Sequence, residues 1–304
     1  MANLEHLALL RQGVYVWNHQ KKERCLVQTN LSDADLAGEN LCGAYLQSTN
    51  LSRANLSRAN LSRANLSRAN LDRATLEAAD LSRAYLSQAV ISDAILFQTD
   101  LSQANLMGAC LDGSDLQTAR LTQANLTAAS LRAAIFWKSN LIGASLRRAN
   151  LSHSIFQETN LWRANLQEAD LLNIYFNQTN LSQANIQRAN LTNSLVKRTS
   201  FWKTNLEGSV WKNAYFKTIR FDQTNLTGVC FQGAHLQGVI FKEVNLTEAD
   251  FTGASLEGAI FIKANLTKTN LTGASFQRTI FKQVTFKTTQ GFDCSCQKGA
   301  LIYL

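Results

Sequence analysis

The chain has 304 residues, and its 30 Lys and Arg against 22 Asp and Glu give a formal charge of +8, which excludes electrostatic imitation of DNA and favours phosphates or acidic partners. Six Cys without a pairing pattern exclude a disulfide scaffold, and neither a signal peptide nor an 18-residue apolar run occurs, so a cytoplasmic protein without a membrane span is expected. Proline is absent and the 15 Gly are dispersed, so nothing marks a linker between domains.

Residues 3 to 22 read as one amphipathic helix with Leu4, Leu7, Leu10, Val14 and Trp17 on a single stripe. From Leu31 the pattern changes to a period of five, set most clearly by the four copies of Leu-Ser-Arg-Ala-Asn from Leu51 to Asn70. Five matches neither the helix nor the strand period and so describes another regular geometry, a solenoid. Stepping by five from Leu31 to Phe286, all 52 centres are apolar: 35 Leu, 14 aromatic, and Ile91, Ile186 and Val196. Two residues before each centre stands Ala, Thr or Ser in 45 of the 52. A small residue and a large one pointing inward, with one residue between them pointing outward, make a short strand, and the two remaining polar positions turn a corner.

Aromatic centres recur every twenty residues, at Phe201, Phe221, Phe241, Phe261 and Phe281 and again at Phe136, Phe156 and Phe176, which gives four repeats per coil. About thirteen such coils at strand spacing predict a rod of roughly 60 Å. The expected class is all-β, with the N-terminal helix as an α-helical cap, because a solenoid exposes an apolar cross-section at each end. The predicted divisions are a capping helix over 1–25, repeats over 26–290 and a tail over 291–304.

Ala, Asn or Asp, and Leu recurring at this period resemble the pentapeptide repeat proteins over about 85% of the chain, and Leu9-Leu10-Arg11-Gln12-Gly13 followed by Trp17-Asn18 is similar to the leader helix of many members. The resemblance implies a right-handed quadrilateral β-helix, usually without enzymatic activity and abundant among cyanobacterial proteins. It also raises the activity some members are noted for, mimicry of DNA against type II topoisomerases such as gyrase. This basic, uninterrupted chain departs from the acidic, loop-bearing members that do so.

Along the repeats, Arg53, Arg58, Arg63 and Arg68 fall on four successive sides, with Arg73 above Arg53. They read as a solvated belt or as anion contacts. A belt that circles every side forms no single groove, which argues against nucleic acid as the partner.

From residue 95 the sides differ. One outward column runs Ile95, Asp115, Ile135, Ile155, Tyr175, Leu195, Tyr215, while the opposite column, Asn105 to Asn265, is mostly Asn and reads as a stacked amide ladder. Near the apolar column stand Trp137, Ile142, Trp162 and Trp202. Ile135, Trp137, Ile142, Ile155, Trp162, Tyr175, Trp202 and Tyr215 are therefore the candidate surface for an as yet unidentified protein partner. The alternative is that they lie flat over the wide aromatic centres. The tail Leu301-Ile302-Tyr303-Leu304 either closes the last coil or stacks on a second copy to make a homodimer through an end cap.

No chemistry is expected. The interior is filled at every rung, His6, His19, His153 and His235 are scattered, and Cys294 and Cys296 have no further ligands near them, so neither cofactor nor metal is predicted. The functional expectation is a non-enzymatic scaffold that binds a protein along the aromatic flank. Gyrase interaction and direct nucleic-acid binding through the basic surface are the alternatives.

Overall fold

The computed structural model describes residues 1–23, 29–292 and 299–303. They divide into two compact units, Met1–Asn150 and Leu151–Leu304. The predicted boundary at residue 25, the thiols Cys25, Cys294 and Cys296, and Leu304 lie outside the described residues.

The first unit opens with two helices where the sequence predicts one, α1 (Leu4–Arg11) and α2 (Val14–Glu23). The break falls at Gly13, whose φ of 109° suits only glycine, and the Gln12 and Gly13 N–H groups close the end of α1 on Leu9 O and Leu10 O. The predicted stripe breaks with it. Leu10 and Trp17 are buried and Leu7 and Val14 half-buried, but Leu4 is 79% exposed.

Helix α2 lies against the start of the repeats. Trp17 Nε1 donates to Tyr45 O at 2.8 Å, and Asn18 donates to Gly43 O at 3.0 Å while accepting the Tyr45 N–H at 2.7 Å. Buried Lys21 donates to Thr29 Oγ1 at 3.0 Å, and its desolvation pulls the ammonium pKa down to about 8.

In both units the repeat has one local geometry. In Leu51–Asn55, Leu51 O accepts the Ala54 N–H at 3.0 Å, closing a turn whose third residue, Arg53, has φ 57°. The Leu51 and Arg53 N–H groups donate to Asn70 O and Asp72 O and the Asn55 N–H to Ala34 O, all across coils, while the Ser52 N–H donates to Asn50 Oδ1, so every amide of the repeat is paired. Parallel bridges join residues twenty apart, as Asn55 to Thr75, so one coil takes four repeats of a β-solenoid. Twelve of the 15 glycines stand at the same third turn position, from Gly38 to Gly273. Glycines that look dispersed in the sequence thus mark a single turn.

Every centre from Leu31 to Phe281 is buried to 4% exposure or less, and Phe286 is half-buried. At several Thr in the small inward position the hydroxyl is satisfied by the centre carbonyl one coil back, Thr179 Oγ1 donating to Phe156 O at 2.8 Å and Thr224 Oγ1 to Phe201 O at 2.9 Å, whereas Ser209 Oγ donates to Leu206 O three residues back at 2.7 Å. The predicted aromatic columns form in the second unit. Ring centroids lie 5.0 Å apart for Phe201–Phe221, 5.3 Å for Phe221–Phe241, 4.6 Å for Phe241–Phe261 and 4.9 Å for Phe261–Phe281.

Three-residue strands appear where a β-branched, aromatic or Leu residue mostly precedes a Phe or Val centre, because such side chains suit the extended backbone. In the first unit this is β1 (Ile135–Trp137). In the second, β2 (Ile155–Gln157), β3 (Tyr175–Asn177), β4 (Leu195–Lys197) and β5 (Tyr215–Lys217) pair in parallel in that order. A second sheet stacks β6 (Arg220–Asp222), β7 (Ile240–Lys242), β8 (Ile260–Ile262) and β9 (Ile280–Lys282). The tail adds β10 (Leu301–Tyr303) beyond β9, with Ile302 in register with Phe281.

The expected amide ladder is only partly formed. Asn125 donates to Asn105 at 3.3 Å, Asn225 to Asn205 at 3.1 Å and Asn265 to Asn245 at 3.4 Å, but Asn245 donates to Thr227 instead and Asn265 is shared with Thr247. The recurrent bond is local: each Oδ1 accepts the N–H two residues on, as Asn125 from Thr127 and Asn185 from Gln187. The short ring is closed within the repeat itself, so these Asn shape corners before they link coils.

Candidate functional site

The arginine belt and the aromatic flank occupy different parts of the repeat. Arg53, Arg58, Arg63, Arg68 and Arg73 all sit at the third turn position, exposed, on successive corners. Several are already engaged. Arg53 makes a two-point contact with Asp33 at 2.7 and 3.0 Å, Arg68 donates to Gln88 at 2.9 Å, and Arg73 lies 3.9 Å from both Asp72 and Asp93. The Arg53 guanidinium holds the Asp33 carboxyl well below the usual carboxylate range.

Of the flank residues in the first unit, Ile135, Trp137 and Ile142 are half-buried, and the Lys138 ammonium lies 4.5 Å from the Trp137 ring. In the second unit Ile155, Tyr175, Leu195 and Tyr215 form one register column through β2–β5. Ile155 is 38% exposed and Tyr215 51%, while Tyr175 is half-buried with Lys197 Nζ 5.4 Å above its ring.

The column continues to His235, whose ring packs on Tyr215 at 4.6 Å. Sequence reasoning took His235 as isolated. Its separation of twenty residues from Tyr215 was the signal.

The outward tryptophans follow a rule. Trp137, Trp162 and Trp202 each stand one residue after a centre, and each ring is covered by the cation that follows it: Lys138, Arg163 at 4.1 Å and Lys203 at 4.6 Å. Half-buried Trp162 therefore presents a guanidinium rather than a bare indole, whereas Trp202 remains 41% exposed. The flank is both aromatic and cationic.

Beside Trp202 an open groove of about 440 Å³ is lined by Arg198, Thr199, Ser200, Thr218, Arg220 and Asp222. Arg220 Nη2 is paired with Asp222 Oδ2 at 3.0 Å. Arg198 is exposed and makes no ion pair among the described residues. Neither arginine stood out in the sequence, because they belong to different coils and meet only through the twenty-residue register.

Among the described residues no group of three or more His, Cys, Asp and Glu is placed to hold a metal ion, and no helix is long and apolar enough to cross a membrane. Cys42, Cys110 and Cys230 are free thiols.

A five-residue solenoid with small, outward and apolar positions in fixed order defines a repeat protein, and the pentapeptide repeat family pattern matches residues 25–63, 49–88, 59–97, 84–123, 124–163, 163–196 and 245–283. The chain belongs to the pentapeptide repeat family.

Similar solved structures include HetL, a pentapeptide repeat protein involved in heterocyst differentiation regulation from the cyanobacterium Nostoc sp. strain PCC 7120. It is 26% identical over 80% of this chain and 85% of its own, with a TM-score of 0.24. The pentapeptide repeat protein alr5209, from Nostoc PCC 7120, is 40% identical over 28% of this chain and 69% of its own, with a TM-score of 0.27. Full-length QnrB1, a plasmid-mediated fluoroquinolone resistance protein, is 14% identical over 62% of this chain and 91% of its own, with a TM-score of 0.25. No curated protein matched by sequence.

Proposed function

We propose that the chain is a right-handed, four-sided β-helix of about thirteen coils that acts in the cytoplasm as a non-enzymatic scaffold, docking a protein partner along its aromatic-rich flank. The observation that carries this reading is the exposure of Ile155, Trp202 and Tyr215 within one unit, at positions the repeat mostly fills with polar residues. Exposed aromatic side chains on a rigid sheet lose little entropy on binding and bury a large area, which is how interface anchors work. A face needed only to cover the Phe centres would be served by side chains lying flat, whereas half of Tyr215 stands in solvent.

The test is affinity capture from native extract with wild type and with Trp202→Asp plus Tyr215→Asp, after circular dichroism shows both folded. Loss of a specific band in the variant supports the scaffold. Identical capture by both returns the flank to a packing role.

A further inference from the structure

Resting on that reading of the flank, we propose that the groove beside Trp202 takes an extended acidic segment of the partner, its carboxylates held by Arg198, Lys217 and Lys203. From Lys197 to Arg220 the chain carries six cations, Lys197, Arg198, Lys203, Lys212, Lys217 and Arg220, against one acid, Glu207. These 24 residues, which reach onto two adjacent coils, carry a net charge of +5 out of the chain's +8.

The pairing register makes the concentration local. Lys197 and Lys217 are register partners on β4 and β5, strands about 4.8 Å apart, with the Lys197 ammonium drawn over the Tyr175 ring. Among the described residues no carboxylate pairs with Lys197, Arg198, Lys203 or Lys217. Arg220, by contrast, is neutralised by Asp222 and marks the end of the open cationic surface.

The groove also supplies the exposed hydroxyls of Ser200 and Thr218, and an apolar wall in Trp202 with the Lys203 ammonium 4.6 Å from its ring. Side chains on one face of an extended peptide repeat every 6–7 Å or so, so two or three carboxylates fit the spread from Lys217 to Lys203. The open cations cover two adjacent coils, about 10 Å, and the corner column beyond them is Gln223 hydrogen-bonded to Glu243 at 3.1 Å. A single-stranded nucleic acid needs a cationic stripe that tracks several phosphates, and this patch ends too soon for one.

The experiment is fluorescence anisotropy with a labelled twelve-residue peptide of alternating Glu and Ser around a central Phe. The same peptide with Gln for Glu and a single-stranded oligonucleotide of equal charge are the comparisons. The Glu peptide is expected to bind at least tenfold more tightly than the Gln peptide, and Arg198→Glu or Lys217→Glu to weaken it at least tenfold. Arg58→Glu, a belt residue, is expected to change binding less than twofold.

Exposed Arg198→Gln serves as a milder second variant, with its melting curve checked against wild type. Equal binding of the Gln peptide, no effect at Arg198 and Lys217, or tighter binding of the oligonucleotide overturns the proposal. Capture from extract separates the two readings. A partner retained by Arg198→Glu but lost with Trp202→Asp plus Tyr215→Asp leaves the scaffold standing and removes the acidic segment.

Discussion

Asn18 grips the backbone at Tyr45 from both sides of its amide, Oδ1 accepting the Tyr45 N–H at 2.7 Å while Nδ2 donates to Gly43 O at 3.0 Å. Asn18 Oδ1 and Trp17 Nε1, which donates to Tyr45 O, thus supply at Tyr45 the pair of bonds that a preceding coil supplies to later outward residues. Replacing Asn18 with Ala strands a donor and an acceptor at the solenoid edge, and the expected loss is about 1–3 kcal/mol. Hydrogen exchange should rise at the Tyr45 amide and stay unchanged at Asn105, because in a solenoid each coil leans only on its neighbours.

Lys21 gives the same cap a pH dependence. Its pKa falls from 10.5 to about 8 on folding through desolvation. Between those values the unfolded chain binds more protons than the folded one, so stability rises with pH over that window. The melting temperature of wild type is expected to gain on that of Lys21→Met between pH 8 and 10. A constant difference would mean that the ammonium is fully solvated.

Asp33 acts in the opposite range. Hydrogen bonds from Arg53 depress its pKa in the folded state, so the contribution is present at neutral pH and lost as pH falls below the ordinary carboxylate range. Asp33→Asn is expected to lower the melting temperature slightly at pH 7 and by less at pH 2.5. The pair is exposed, so a large effect at either pH would contradict this account.

Phe241 stacks between Phe221 at 5.3 Å and Phe261 at 4.6 Å with no exposed surface. Phe241→Ala leaves a cavity in a ladder with no side chain able to fill it, and a loss of about 3–5 kcal/mol is expected in urea unfolding. Phe241→Leu, the residue most centres use, is expected to cost much less.

The third turn position offers a reciprocal test of backbone strain. Arg58 holds φ 58°, so Arg58→Gly is expected to be neutral or to stabilise by up to about 1 kcal/mol. At Gly113, φ 67°, a Cβ is strained by the backbone conformation and the Asp93 carboxylate must shift to admit it, so Gly113→Ala is expected to destabilise. Melting curves of the two variants should move apart.

The five-residue period, the inward Leu and Phe, the twenty-residue coil and the aromatic columns were all legible in the chain, because in a solenoid each contact is a fixed sequence offset and a periodic pattern is already a map of neighbours. Local geometry was legible only in part. The helix break at Gly13 depends on a positive φ that an apolar stripe does not reveal, and the Asn column spends its carbonyls on its own corners before it reaches the next coil.

The surface depended most on the folded structure. The cations at Lys138, Arg163 and Lys203 turn back over Trp137, Trp162 and Trp202, which decides how much indole each presents. Lys197 meets Lys217, and Arg198 shares a groove with Arg220, because residues a whole coil apart become neighbours. Sequence alone determined which side chains point inward, since burial follows the period. Which outward side chains stand free, and which charges are left unpaired, was decided by tertiary structure, because rotamers and cross-coil electrostatics are set only after the coils are stacked.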